Sequence, residues 1–228
     1  MYKILIVFLL YNVSPTVAKA QDSVKMYAFI NQLYSPPSPK IFRPGIFKSD
    51  WGNFLLPQVY PIHSAVVEKI NTALSLQTAA DSLPVSIHPP GTEFTNTPKE
   101  VLAELYENCK NLDSAWQENF LWQQDKIYKY LLVKNTRQQP AVSAINKLQL
   151  TAKEKPAVIR KIREWNKASI ESRLVNYCSI PVFTNDGRYA LIIIGQDCRS
   201  EGGWDSIFIF KKINGVWEKQ DELAIATI

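Results

Sequence analysis

Residues 174–228 read LVNYCSIPVFTNDGRYALIIIGQDCRSEGGWDSIFIFKKINGVWEKQDELAIATI, and the fold turns on this stretch. Asn185-Asp186-Gly187 and Asn214-Gly215 each stand between runs rich in β-branched and aromatic residues. A glycine preceded by Asn or Asp supplies the positive φ that tight hairpin turns need. Two such reversals predict an antiparallel meander. In the run after the first turn, Tyr189, Leu191 and Ile193 fall on one face and Ala190, Ile192 and Ile194 on the other, so neither face can be left to water. A central strand is expected there. Ile207 to Phe210 is also apolar on both faces and ends in Lys211-Lys212, charges that suit a strand leaving the core. Cover for both sides must come from upstream.

Upstream, apolar residues recur at helical spacing. Val24, Tyr27, Ile30, Leu33 and Tyr34 form one such stripe, and Val66, Val67, Ile70, Ala73 and Leu74 form another after Pro61. Thr97-Pro98-Lys99-Glu100 is the clearest helix start, with Thr as cap, Pro first and Glu three residues after the cap. Val101, Leu102, Leu105, Tyr106 and Cys109 carry that helix's apolar side. Asp113-Ser114 predicts a restart through Trp116, Phe120, Leu121, Ile127, Tyr128, Leu131 and Leu132, and Pro140 interrupts. A last helix begins near Pro156, with Val158, Ile159, Ile162 and Trp165 inside. Ser35 to Gly45, with Pro36, Pro37 and Pro39, reads as an extended surface segment. Val85 to His88 reads as a short strand stopped by Pro89-Pro90-Gly91. The expectation is one α+β domain over 21–228, helical over 22–173 with a β-meander over 174–228. Four or five N-terminal helices would pack on an antiparallel sheet of three to five strands, to which Val85–His88 and Leu223–Ile228 can add.

Residues 1–20 are read separately. Lys3 precedes an apolar run from Ile4 to Tyr11, and Ala18-Lys19-Ala20 has the small-x-small form that signal peptidase accepts. Cleavage before Gln21 is expected; the other reading is an uncleaved interfacial anchor. The apolar run is too short to span a bilayer, and no Cys at the junction invites a lipid. Removing the first 20 of 228 residues leaves 208, and losing Lys3 and Lys19 from 26 basic residues leaves 24 against 21 acidic ones, a net charge of +3. Mature Asn-x-Ser/Thr sites are absent, which accords with a bacterial source. The basic excess is local: Lys147, Lys153, Lys155, Arg160, Lys161, Arg163, Lys167 and Arg173 face Glu154, Glu164 and Glu171. Such a stripe can attract phosphate. The plainer reading is a solvated helix face, because no nucleic-acid signature accompanies it.

Chemistry is thinly signalled. His63 and His88 occur in unlike contexts and no HxxxH, CxxC or HExxH is present, so no metal and no cofactor is expected. GxSxG, GxxxxGK[ST] and GxGxxG are absent too. Cys109 reads as a buried thiol on a helix face. With a two-residue turn at Asp186-Gly187, position 178 faces 195, so a Cys178 to Cys198 disulfide becomes possible through a bulge or a fold-back of the loop. Asp197-Cys198-Arg199-Ser200-Glu201-Gly202-Gly203-Trp204-Asp205 is the most function-like stretch: polar, glycine-containing and set at the ends of two apolar strands. Asp197, Arg199, Glu201, Trp204 and Asp205 are the candidate ligand-binding residues. Three carboxylates there could gather Ca²⁺, yet the spacing matches no calcium loop, and an ordinary hairpin loop is the plainer reading.

CSIPVFTNDGRYALIIIG, a Cys- and Gly-containing loop, and IFIFKKINGVWEK together resemble the C-terminal part of uncharacterised exported proteins of Bacteroidetes-type bacteria. The resemblance covers about fifty residues and rests on turn and strand positions. It implies an envelope or extracellular location and an α+β fold, and it carries over no activity. Similar sequences place two cysteines in the loop, whereas this chain has Cys198 alone. The function expected is therefore non-enzymatic binding of a protein or small ligand in the periplasm or outside the cell, with no nucleic acid and no membrane span. The alternative is a hydrolase acting on envelope or dietary polymers through Asp197, Glu201 or Asp205.

Overall fold

A computed structural model describes residues 23–33, 54–80, 94–112, 117, 119–197 and 204–227. In chain order the elements are α1 (23–33), β1 (Phe54–Leu55), α2 (Ser64–Ala80), α3 (Lys99–Lys110), β2 (Leu131–Leu132), α4 (Glu154–Lys167), β3 (Val175–Cys178), β4 (Val182–Phe183), β5 (Tyr189–Asp197), β6 (Trp204–Ile213) and β7 (Val216–Thr227). Single 3₁₀ turns occupy Val142–Lys147 and Ile170–Ser172. The sheet runs β2-β1-β3-β5-β6-β7, and β4 also pairs with β5. The class is α+β with a mostly antiparallel sheet.

Both reversals occur. Asn214 and Gly215 take φ of 51° and 83°, which makes a two-residue turn closed by the Ile213–Val216 pair and matches the twist of the flanking strands. The first turn is longer: Thr184 N donates to Tyr189 O at 3.1 Å, leaving 185–188 as the loop, with Gly187 at φ 67°. Asp186 organises it by accepting from Thr184 Oγ1 at 2.7 Å and Arg188 N at 2.8 Å, and the Arg188 guanidinium adds an ion pair. These contacts, led by the Thr184 hydroxyl, hold the Asp186 carboxyl well below the usual carboxylate range.

β5 is buried from Tyr189 to Gln196, as a central strand must be. Ala190, Ile192 and Ile194, with Phe208 and Phe210 of β6, share a core with Met26, Tyr27, Phe29, Ile30 and Leu33 of α1 and with Trp122, Ile127 and Tyr130. On the opposite face Leu191, Ile193, Ile207 and Ile209 meet Val66, Ile70 and Ala73 of α2, Phe94, and Leu102, Leu105 and Cys109 of α3. A third core joins Val158, Ile162 and Trp165 of α4 to Phe54, Leu131 and Val175.

Several expectations are corrected. The stretch 22–173 is not wholly helical, because β1 and β2 join the sheet parallel to each other, and β1 runs parallel to β3. The helix expected through Leu132 is not formed after residue 119. Instead Trp122 N donates to Pro57 O at 2.8 Å and Val133 N to Leu55 O at 3.0 Å. The Gln124 side chain reinforces the crossing, accepting from Leu132 N at 2.8 Å and donating to Tyr130 O at 2.8 Å. Pairing with β1 outweighs a helical pattern whose apolar residues also suit a buried strand.

The Thr97 cap is replaced as well. No side chain caps α3; the Thr97 hydroxyl donates to Asp221 of β7, and Asn96 N donates to the same carboxylate at 3.1 Å. The capping box belongs to α4, where Thr151 N donates to Glu154 Oε2 at 2.6 Å and Glu154 N donates to Thr151 Oγ1 at 3.3 Å. That helix starts at Glu154, two residues before Pro156. Arg173 is 3 % exposed and leaves the basic stripe: it donates to Thr136 O at 2.8 Å and lies 5.7 Å from the Trp165 ring. Residues 1–20, Ser35–Gly45 and Val85–His88 lie outside the described residues.

Candidate functional site

The end of the sheet where β5 stops at Asp197 and β6 begins at Trp204 is built by three stretches. Pro181 has no amide to give a ladder, and the Ser179 hydroxyl accepts from Ile193 N at 2.9 Å instead. Here the register moves by one: Val182 pairs with Leu191, while Cys178 pairs with Ile194 rather than Gly195. Tyr177 therefore stands opposite Gly195, and Gly195 opposite Asp205.

The Tyr177 ring lies across Gly195 so closely that a Cβ there would overlap Cζ and the hydroxyl. A glycine inside a strand marks such a close approach. Beyond β1 the chain follows β3, with Leu56 N donating to Asn176 O and Tyr60 N to Cys178 O, both at 2.9 Å. Tyr60 thereby stacks on Tyr177, ring centroids 5.0 Å apart and planes 28° apart, and His63 meets Tyr60 edge-on at 5.8 Å. Ile62 N donates to the buried Gln117 side chain at 2.9 Å, which fixes the approach to α2.

The electrostatics of this corner are negative. Burial, then the Asp205 carboxylate, pushes the Tyr60 phenol up. Burial again comes first for Tyr177, followed by the charge of Asp205, the neighbouring Tyr60 and the charge of Asp197, and it too is held above the ordinary phenol range. Both phenols keep their protons and can donate.

Of the residues singled out from sequence, Asp205 is half-buried in β6 beside the two tyrosines and Asp197 is exposed at the end of β5. Trp204 opens β6, its backbone paired with Gln196 and Thr227. Arg199, Glu201 and Cys198 lie outside the described residues. Cys178, the other half of the expected bridge, is a free thiol. It sits on the opposite face in the α1 core, where burial pushes it up to about 12, with Trp122 acting the other way. Burial likewise pushes Cys109 up to about 12. Thiols so held are poor nucleophiles.

Among the described residues no group of three or more His, Cys, Asp or Glu could hold a metal ion. No helix among them is long and apolar enough to cross a membrane. Sequence reasoning missed Tyr60, Tyr177 and Gly195. The lone glycine in an apolar strand was the available signal, but the expected register set Cys178 against it. No protein family, no curated protein and no solved structure matches the chain.

Proposed function

We propose that the protein is an exported, non-enzymatic binding protein of the bacterial envelope, which takes a partner or ligand by a positively charged group at the loop end of its sheet. One observation carries the reading: Asp205, with Asp197 nearby, lies beside the stacked Tyr60 and Tyr177. Carboxylates beside aromatic rings are a favourable setting for an ammonium or guanidinium, through ion pairing and cation–π attraction. The Tyr60 hydroxyl donates to Asp205 and holds it in place, which lowers the ordering cost of binding.

A second reading, a hydrolase acting on envelope or dietary polymers, is favoured by the half-buried setting of Asp205. It requires a second carboxylate facing Asp205 across the bond to be broken.

One pair of assays decides between them. Titration with a tetralysine peptide is expected to show saturable binding that Asp205→Asn weakens by about tenfold, the scale of one charge-assisted contact, while polysaccharides incubated with the protein release no reducing ends. Binding that ignores Asp205→Asn overturns the site; reducing ends lost in both Asp205→Asn and Asp197→Asn overturn the non-enzymatic reading.

A further inference from the structure

On the other face of the sheet, α1, the 128–129 turn and the β6–β7 hairpin enclose an open cleft of about 560 Å³. That volume lies in the range of small-ligand sites. Lys25, Lys129 and Lys212 line it, and among the described residues no Asp or Glu does. Lys129 is held at 3.1 Å by Glu154, which lies outside the lining. Lys212 is exposed, with its ammonium 5.6 Å from the centre of the Trp217 ring. Trp217 is half-buried and edge-packed on Phe29 at 5.0 Å, so its ring is a fixed wall of the cleft. Tyr128 and Gln149 also line the cleft, both exposed, and are joined through Gln149 N donating to Tyr128 O at 2.9 Å.

We infer that this cleft binds an acidic saccharide, a sugar or short oligomer bearing carboxylate, with its anion on Lys212 and its ring against Trp217. The combination selects that class. Excess lysine without a lining carboxylate favours an anion. An indole wall offers the apolar surface on which the C–H face of a pyranose packs. Tyr128 and Gln149 supply one hydroxyl and one amide, groups that both donate and accept as sugar hydroxyls do. A free inorganic anion would use the lysines and leave the indole and amide idle.

The site is separate from the tyrosine and aspartate corner, and its test is separate too. Calorimetric titration of the purified protein with trigalacturonate should show one saturable site. A neutral galactotriose should bind at least tenfold more weakly, and inorganic phosphate should fail to compete at equal concentration. Lys212→Gln should weaken trigalacturonate about tenfold, Gln149→Ala severalfold, and Asp205→Asn not at all. Because Lys212 and Gln149 are exposed, Lys212→Gln and Gln149→Ala retain the wild-type circular dichroism and melting curve. Equal binding of galactotriose, full competition by phosphate, indifference to both Lys212→Gln and Gln149→Ala, or no binding of trigalacturonate would each overturn the assignment.

Discussion

At the scale of single residues, Gly195 decides the most. Any side chain there meets the Tyr177 ring, which has Gly195 on one side and Tyr60 on the other. Gly195→Ala is expected to cost about 1–3 kcal/mol, the usual penalty for overpacking, read as a lower urea midpoint. In a Tyr177→Ala background the same change should cost far less, because the ring it strikes is gone. Additive effects in that double-mutant cycle would show that the glycine serves some other purpose.

Two threonines show how an element's ends are chosen. Thr97 and Thr151 both precede a helix with Glu three positions on, yet only Thr151 exchanges hydrogen bonds with its Glu154. Thr97 turns to Asp221, a carboxylate 5 % exposed that also receives Asn96 and so ties the α3 entry to β7. Asn96 reaches β7 again, its side chain donating at 3.2 Å to the carbonyl of Gln220, the residue skipped at a register shift. A buried acceptor outbids a solvent-exposed amide for the hydroxyl, since leaving it short of donors is the costlier error. Thr151→Ala should cost about 1 kcal/mol, and Thr97→Val about 1–3 kcal/mol. In thermal melts Thr97→Val should couple to Asp221→Asn and be independent of Glu100→Gln; coupling to Glu100 instead would restore the capping box at α3.

Across the whole molecule, two central strands buried on both faces, β5 and the apolar middle of β6, are held between α1 and the α2–α3 pair. Phe29 is the α1 side chain on which one layer depends, meeting Phe183, Phe210 and Trp217 edge to face at 5.0–5.6 Å. Phe29→Ala is expected to remove about 3–5 kcal/mol from a total of about 5–15 kcal/mol. Urea denaturation and binding of an apolar dye would record the loss, and an unchanged midpoint would mean that α1 contributes little to the fold. The same layer forms part of the Lys212 and Trp217 cleft, so a weakened α1 should also weaken trigalacturonate binding.

The sequence alone determined that the chain reverses at Asp186-Gly187 and at Asn214-Gly215, that the runs after the first reversal and before the second are buried on both faces, and that helices follow the apolar stripes beginning near Val24, Val66 and Val101, because each depends on local φ preferences and short-range periodicity; the four-residue length of the first loop was not legible. Tertiary structure alone decided that Leu131-Leu132 is strand, that Thr97 serves Asp221, and that Tyr177 rather than Cys178 faces Gly195. Those outcomes rest on partners some 20 to 125 residues away, whose hydrogen bonds outweigh local preference once water is gone. The candidate corner was half legible for the same reason: its aspartates stood out as polar residues of the loop expected between two strands and lie on β5 and β6 themselves, whereas its tyrosines reach them only through a one-residue slip beside Pro181 and a parallel neighbour from the helical half of the chain.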